Sequence, residues 1–121
     1  MRLLVYEDDA LPVDDKLVFQ IDEIIRDVKP DIVITHHPQD TVDVHNVFAR
    51  ATLKACQSAA GIRRATRLGP HKVAQIFFMG IPVGCTTDNV INALTPVFYN
   101  ACINVTDVID KKFAALDKLA S

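Results

Sequence analysis

Ile32-Val33-Ile34 is an uninterrupted β-branched run, and Pro30 stands just before it. Proline does not continue a helix, and β-branched residues favour strands. Because no polar residue alternates with these apolar ones, the run predicts a strand that is covered on both faces, as in a parallel sheet. Such a strand needs helices packed against it.

Helical periodicity flanks this run on both sides. From Lys16 to Val28 the apolar residues recur at intervals of three and four positions, which predicts a helix with Asp14 or Asp15 as its cap. On the other side, apolar residues across 47–56 predict a second helix, which Gly61 can terminate. The central run therefore lies between two amphipathic helices.

The remaining elements are shorter or less regular. The apolar stretch 73–79 predicts a second strand, and Thr106 can cap a final helix with one apolar face. Glycine, proline and asparagine across 80–96 predict a long loop, and residues 3–6 are enough for a short strand. This alternation predicts an α/β layered fold with a mostly parallel sheet, in a single domain over 1–121.

Composition excludes several classes of function. The 121 residues are 50% hydrophobic and carry a formal net charge of −2, so no basic surface for nucleic acid is expected. No apolar run approaches the roughly 18 residues of a membrane span, and Glu7-Asp8-Asp9 would interrupt a signal peptide. The three cysteines form no C-x-x-C pair and are expected to be reduced thiols. We therefore expect a cytoplasmic protein.

The densest concentration of reactive side chains follows the central run. Three of the four histidines and two aspartates lie within Thr35-His36-His37-Pro38-Gln39-Asp40-Thr41-Val42-Asp43-Val44-His45. Ligands usually bind beyond the carboxyl ends of parallel strands, which is where this segment is predicted to lie. Imidazole and carboxylate groups are ordinary ligands of catalytic zinc, so the segment is a candidate metal site.

The individual residues carry different expectations. His45 is the best candidate for a metal ligand, because a position in the first helical turn disfavours imidazolium and keeps a ring nitrogen free. His36 and His37 are adjacent, so at most one of them is expected to share a site with His45. Asp40 and Asp43 could each bind metal, accept a proton, orient a histidine or cap a turn.

The same segment resembles a known family. Lys29-Pro30-Asp31-Ile32-Val33-Ile34-Thr35-His36-His37-Pro38-Gln39-Asp40 followed by His45 is similar to the second motif of the PIG-L/LmbE zinc-dependent N-deacetylases. Asn104-Val105-Thr106-Asp107 and the helix after it are similar to the family's closing segment. The resemblance implies a Rossmann-like fold and a zinc-dependent hydrolase that deacetylates an N-acetylglucosamine-containing substrate. It makes His45 a zinc ligand, and Asp40 and His36 the next site residues, with catalytic roles.

The resemblance also has gaps. The family's first motif, H-P-D-D, supplies a histidine and an aspartate to zinc and a further aspartate as general base, and it does not occur in the 121 residues. Val44 stands where an aspartate usually precedes the last histidine, with an acid displaced to Asp43. We therefore expect a carboxyl-terminal portion of a deacetylase that lacks its first strand or strands and is inactive alone. Its open sheet edge would invite self-association.

Three alternatives stay open. The chain could be a catalytically inactive relative that binds a sugar or a protein, or an unrelated α/β interaction domain with an incidental histidine cluster. It could also hold a complete site, built from His36 or His37 with Asp40 and His45 or between two chains. A short connection rarely positions three ligands around an open water position, so that alternative is the least favoured.

Overall fold

The computed structural model describes Leu4, Tyr6 and residues 14–40, 42–62, 66–79 and 100–119. These residues form α1 (Asp15–Val28), β1 (Ile32–His36), α2 (Asp43–Ala60), β2 (Gln75–Met79) and α3 (Ile109–Leu119), and a 3-10 turn (Thr106–Val108) precedes α3. β1 and β2 pair in parallel, with α2 as the crossover between them. The predicted α/β class with a parallel sheet is confirmed.

The ends of α1 follow from local sequence. The Asp14 side chain accepts a hydrogen bond from the backbone N–H of Leu17 at 3.1 Å, which confirms it as the cap. At the other end Lys29 adopts a left-handed conformation with φ of 52°, and its N–H donates to the carbonyl of Ile25. Pro30 then excludes a further helical turn. The predicted helix over 16–28 therefore has the observed boundaries within one residue.

The core lies between α1, α2 and one face of the sheet. Large aliphatic side chains of α1 pack against small side chains of α2, which lets the two helices approach closely. Val33 and Ile76, which are register partners in β1 and β2, lie against this helix pair. The buried apolar residues are Leu17, Ile21 and Ile25 from α1 and Ala51, Ala55, Cys56 and Ala59 from α2.

A buried ion pair ties α1 to the carboxyl end of α2. Arg26 Nε donates to Asp22 Oδ2 at 2.8 Å, and both side chains are almost fully buried. Arg26 Nη2 also donates to the carbonyl oxygens of Ser58 at 2.8 Å and Gly61 at 2.9 Å. Gly61 is the residue that ends α2, as predicted. The guanidinium therefore binds two carbonyl groups at the end of α2, where the Ser58 carbonyl also accepts the N–H of Gly61.

The second face of the sheet is bare among the described residues. Ile32 and Ile34 are more than half exposed, and Phe77 beside Ile34 is 38% exposed. The expectation that the central strand is covered on both faces is therefore not met within this part of the chain. Among the described elements, the amphipathic helix α3 contacts neither α1, α2 nor the two strands, and its Phe113 and Leu116 are exposed.

Some element boundaries differ from the predicted ones. α2 begins at Asp43, ahead of the apolar positions 47–56 that predict it, and His45 lies in its first turn as expected. Its cap position is occupied by Val42, which makes no side-chain capping bond. Thr106 begins the 3-10 turn instead of capping α3 directly. The predicted loop over 80–96 lies outside the described residues, as does most of the predicted strand over 3–6. Among the described helices, none has the length and apolar character to cross a membrane.

Candidate metal centre

The candidate site lies at the carboxyl end of β1. His36 is the last residue of this strand, and His45 lies in the first turn of α2. Asp40 lies in the short connection between them, and it is 9% exposed. A strand and a helix that share one core thus fix two of the three side chains, and the connection supplies the third.

The three side chains come close together. His36, Asp40 and His45 each offer a ligand atom, and these atoms lie within 4.8 Å of one another. Asp40 Oδ2 is 3.0 Å from Nδ1 of His45 and 4.0 Å from Nδ1 of His36. The two imidazole rings are stacked, with centroids 3.8 Å apart and planes inclined by 11°. This group could hold a metal ion. Sequence alone favours such an arrangement least, because a short connection rarely positions three ligands together.

The protonation states suit metal binding. Burial lowers the pKa of His36, and repulsion between the two imidazolium charges of His36 and His45 lowers it further. Attraction to Asp40 acts in the opposite direction but is the smaller effect. Burial alone would raise the pKa of Asp40, but hydrogen bonds from the Val42 N–H and the His45 ring, with the charges of both histidines, lower it overall. Near neutral pH the carboxyl group is therefore ionised and His36 is neutral, as metal ligands must be.

The Asp40–His45 contact also fixes a tautomer. An ionised carboxylate only accepts hydrogen bonds, so at 3.0 Å it is the Nδ1–H of His45 that donates to Asp40 Oδ2. The Nε2 atom of His45 then keeps its lone pair for a ligand. A carboxylate that orients a histidine in this way is a common arrangement behind metal-binding imidazoles. Asp40 can thus bind a metal directly or act through His45.

Asn46 is a site residue that the sequence did not reveal. Its Oδ1 accepts the backbone N–H of Asp40 at 2.6 Å, and its Nδ2 donates to the carbonyl of Asp40 at 2.8 Å. The carboxylate Oδ1 of Asp40 accepts the Val42 N–H at 3.0 Å, as in a turn stabilised by an aspartate. The only sequence signal for Asn46 is its position next to His45.

His37, Asp43 and His71 lie outside the group. His37 points away from it, as expected from the alternation along a strand, and its ring meets Phe78 edge-on with centroids 5.7 Å apart. Asp43 is exposed in the first turn of α2 and does not join the group. His71 is half-buried, and its Nε2 lies 2.8 Å from the carbonyl of Pro30. Among the described residues, one histidine pair and one carboxylate form the site.

Comparison with known proteins shows the fold alone. No family model matches the chain, and no curated protein sequence matches it. The crystal structure of the conserved protein TT1542 from Thermus thermophilus is similar to 91% of this chain, with a TM-score of 0.68 and 20% identity. The chain spans 44% of the length of that protein, which is less than half. The two chains therefore share an α/β fold, and this likeness carries no information on activity.

Proposed function

We propose that this chain supplies a zinc-binding part of an N-deacetylase of the PIG-L/LmbE type, which acts on an N-acetylglucosamine-containing substrate. The observation that supports it is the His36-Asp40-His45 group at the carboxyl end of β1. The positions of this group are also those that carry the motif similarity. The geometry brings these three side chains together, and the sequence similarity makes His45 the zinc ligand and Asp40 and His36 the next site residues.

The donor set suits zinc. Catalytic zinc sites in proteins use three ligands drawn from imidazole and carboxylate groups and leave one position open to water. Two imidazoles and one carboxylate are present here, and the histidine side chains are about a third exposed, at 32% and 35%. The chemistry that zinc supplies when bound is acidification of water and polarisation of an amide carbonyl.

The chain's own residues would divide the work of binding. His36 and His45 offer ring nitrogens, and Asp40 either completes the ligand set or keeps His45 in the tautomer that leaves Nε2 free. Amide hydrolysis further needs a general base, which the H-P-D-D motif provides in the family. That motif is absent from the 121 residues, together with the two zinc ligands that it carries in the family. We therefore expect zinc to bind through His36, Asp40 and His45 instead, without appreciable release of acetate.

Zinc titration of the purified chain tests the proposal. We expect near-equimolar zinc by elemental analysis after dialysis, and loss of this zinc in His45→Ala. His37→Ala is the matched control, because it removes an imidazole one residue from the site that points away from the group. Equal zinc content in the His45 variant and the wild-type chain would contradict the proposal, as would a wild-type chain that binds no zinc.

An acetate assay on the same samples separates the two parts of the proposal. The wild-type chain loaded with zinc is incubated with an N-acetylglucosamine derivative, and free acetate is measured against the metal-free chain. No release together with bound zinc is the expected result. Release that depends on zinc and on His45 would show that the catalytic site is complete in this chain or its oligomer, contrary to our expectation.

A second candidate is a non-catalytic relative that binds a sugar or a protein. Val44 favours it, because this half-buried residue stands where the family carries an aspartate next to the final histidine. Loss of an acid at that position is expected when selection for hydrolysis ends. A chain that binds no zinc but shows saturable chemical-shift changes with an N-acetylated amino sugar would favour this candidate over the deacetylase.

A further inference from the structure

The side chain of Asn46 holds both backbone polar atoms of Asp40. Asn46 Oδ1 accepts the N–H of Asp40 at 2.6 Å, and Asn46 Nδ2 donates to its carbonyl oxygen at 2.8 Å. The orientation of the amide follows from these partners, since one requires an acceptor and the other a donor. One side-chain amide thus makes two hydrogen bonds to the backbone of a single residue, as a neighbouring strand would in a sheet.

The consequence is that every polar atom of Asp40 is engaged. Its carboxylate Oδ1 accepts the Val42 N–H, and its Oδ2 accepts from His45 Nδ1. Asn46 thus holds the backbone of Asp40, while the Val42 N–H and the His45 ring hold its carboxylate. Asp40 Oδ2 is thereby kept 4.0 Å from the Nδ1 atom of His36 as well.

The start of α2 shows that Asn46 has no ordinary capping role. The cap residue of this helix is Val42, which makes no side-chain capping bond, and Asn46 lies inside the first turn. An asparagine within a helix is less favourable than alanine in intrinsic propensity. Its amide is directed at Asp40, six positions earlier, so the helix itself gains no satisfied terminus from it.

We infer that Asn46 is a positioning residue of the metal centre. It fixes the backbone of Asp40, and through it the carboxylate that holds the Nδ1–H of His45. The effect on metal affinity rests on the proposed zinc-binding function, whereas the effect on Asp40 and His45 belongs to the metal-free protein. Partners that orient ligands in this way change metal affinity by roughly 10- to 100-fold when they are removed.

Asn46→Ala tests the inference with two independent measurements. The first is the zinc dissociation constant by calorimetric titration, which we expect to rise by roughly 10- to 100-fold. The second is the tautomer of His45 in the metal-free chain, read from long-range ¹H–¹⁵N correlations. We expect one Nδ1–H tautomer in the wild-type chain and a mixture in the variant. Alanine favours helices, so α2 is expected to stay folded.

Gln57→Ala is the matched control, because it removes an exposed amide from the same helix. A purely structural role for Asn46 would change the free energy of unfolding and leave the zinc affinity and the tautomer as they are in the control. That result would overturn the inference. If the wild-type chain binds no zinc, the proposed function fails, and the tautomer measurement alone then decides whether Asn46 positions Asp40.

Discussion

Two polar clusters lie at opposite ends of α2, and both are built around a carboxylate that solvent barely reaches. At the carboxyl end Asp22, 1% exposed, pairs with Arg26, which is equally buried. At the amino end Asp40, 9% exposed, pairs with two histidines whose side chains are about a third exposed, at 32% and 35%. The carboxylates are alike, and the difference lies in their partners.

That difference separates a structural cluster from a candidate binding site. The Arg26 guanidinium carries a permanent charge and bonds the carbonyls of Ser58 and Gly61, so it joins two helices and is itself shielded from solvent. The imidazoles at the other end are about a third exposed, at 32% and 35%, so their rings stay accessible from solvent. A pair with both partners buried is costly to break from one side, whereas a pair with one partner partly exposed is accessible to a metal.

Replacement of the buried arginine is expected to have the largest effect on stability. Arg26→Met leaves the Asp22 carboxylate buried without its cation and removes the bonds to the end of α2. Breaking a buried pair from one side costs about 3–5 kcal/mol of unfolding free energy. Urea unfolding followed by circular dichroism measures this loss.

Arg50→Met is the control for that variant, because Arg50 is an exposed arginine on α2. Its change in unfolding free energy is expected to stay within about 0.5 kcal/mol. Similar losses for Arg26→Met and Arg50→Met would mean that Arg26 is not needed for stability. The Asp22–Arg26 pair could then not be called a structural cluster in contrast to the group around Asp40.

Asp40→Asn should reduce stability less than Arg26→Met does, and should mainly weaken zinc binding. The variant keeps the shape of the side chain but weakens its bonds to the Val42 N–H and the His45 ring, which costs about 1–3 kcal/mol of unfolding free energy. Zinc affinity should fall by roughly 10- to 100-fold or more. Asp43→Asn removes an exposed charge three residues away and should leave zinc affinity nearly unchanged. Equal affinities in the two variants would argue against a role for Asp40.

The amino-end cluster should also make the metal-free protein sensitive to pH. The pKa of His36 is lower in the folded chain than its ordinary value of 6.5, so the unfolded chain binds the proton more readily. The stability from neutral His36 is full above pH 6.5 and is lost as pH falls below it. We expect His36→Gln to flatten the decline in unfolding free energy between about pH 7.5 and 5.5, measured with a chelator present. Identical slopes for variant and wild type would contradict this.

The elements that sequence predicted best are those whose signal is local. Periodicity and the Asp14 cap located α1, because both depend on residues one turn apart. The apolar pattern of α2 begins only at Val47, because the first turn is largely polar, and Val42 provides no capping signal. The segment containing His36, Asp40 and His45 could be singled out for the same reason, since all three fall within ten residues.

The contacts that sequence did not reveal are those that join distant or unpatterned positions. Arg26 reaches carbonyl groups 32 and 35 residues away, and no periodicity indicates a side chain that caps another helix. The bonds from Asn46 to Asp40 join a side chain to a backbone, which any residue at position 40 would offer. Local rules therefore predicted which residues are reactive, and only the folded chain indicates what holds them in place.

The smallest expected effect concerns thiol reactivity near the carboxyl end of α2, where Arg26 binds. Cys56 lies in the core between α1 and α2, and burial raises the pKa of its thiol, so it reacts through a scarce and shielded thiolate. Cys102 is exposed and should be labelled much faster by a thiol reagent near neutral pH. Mass spectrometry of the labelled peptides separates the two sites.

Arg26→Met should speed the labelling of Cys56 and not of Cys102, because a weaker link between α1 and α2 opens the core more often. If Cys56 were labelled as fast as Cys102 in the wild-type chain, the core between α1 and α2 would be accessible to the reagent, contrary to this prediction.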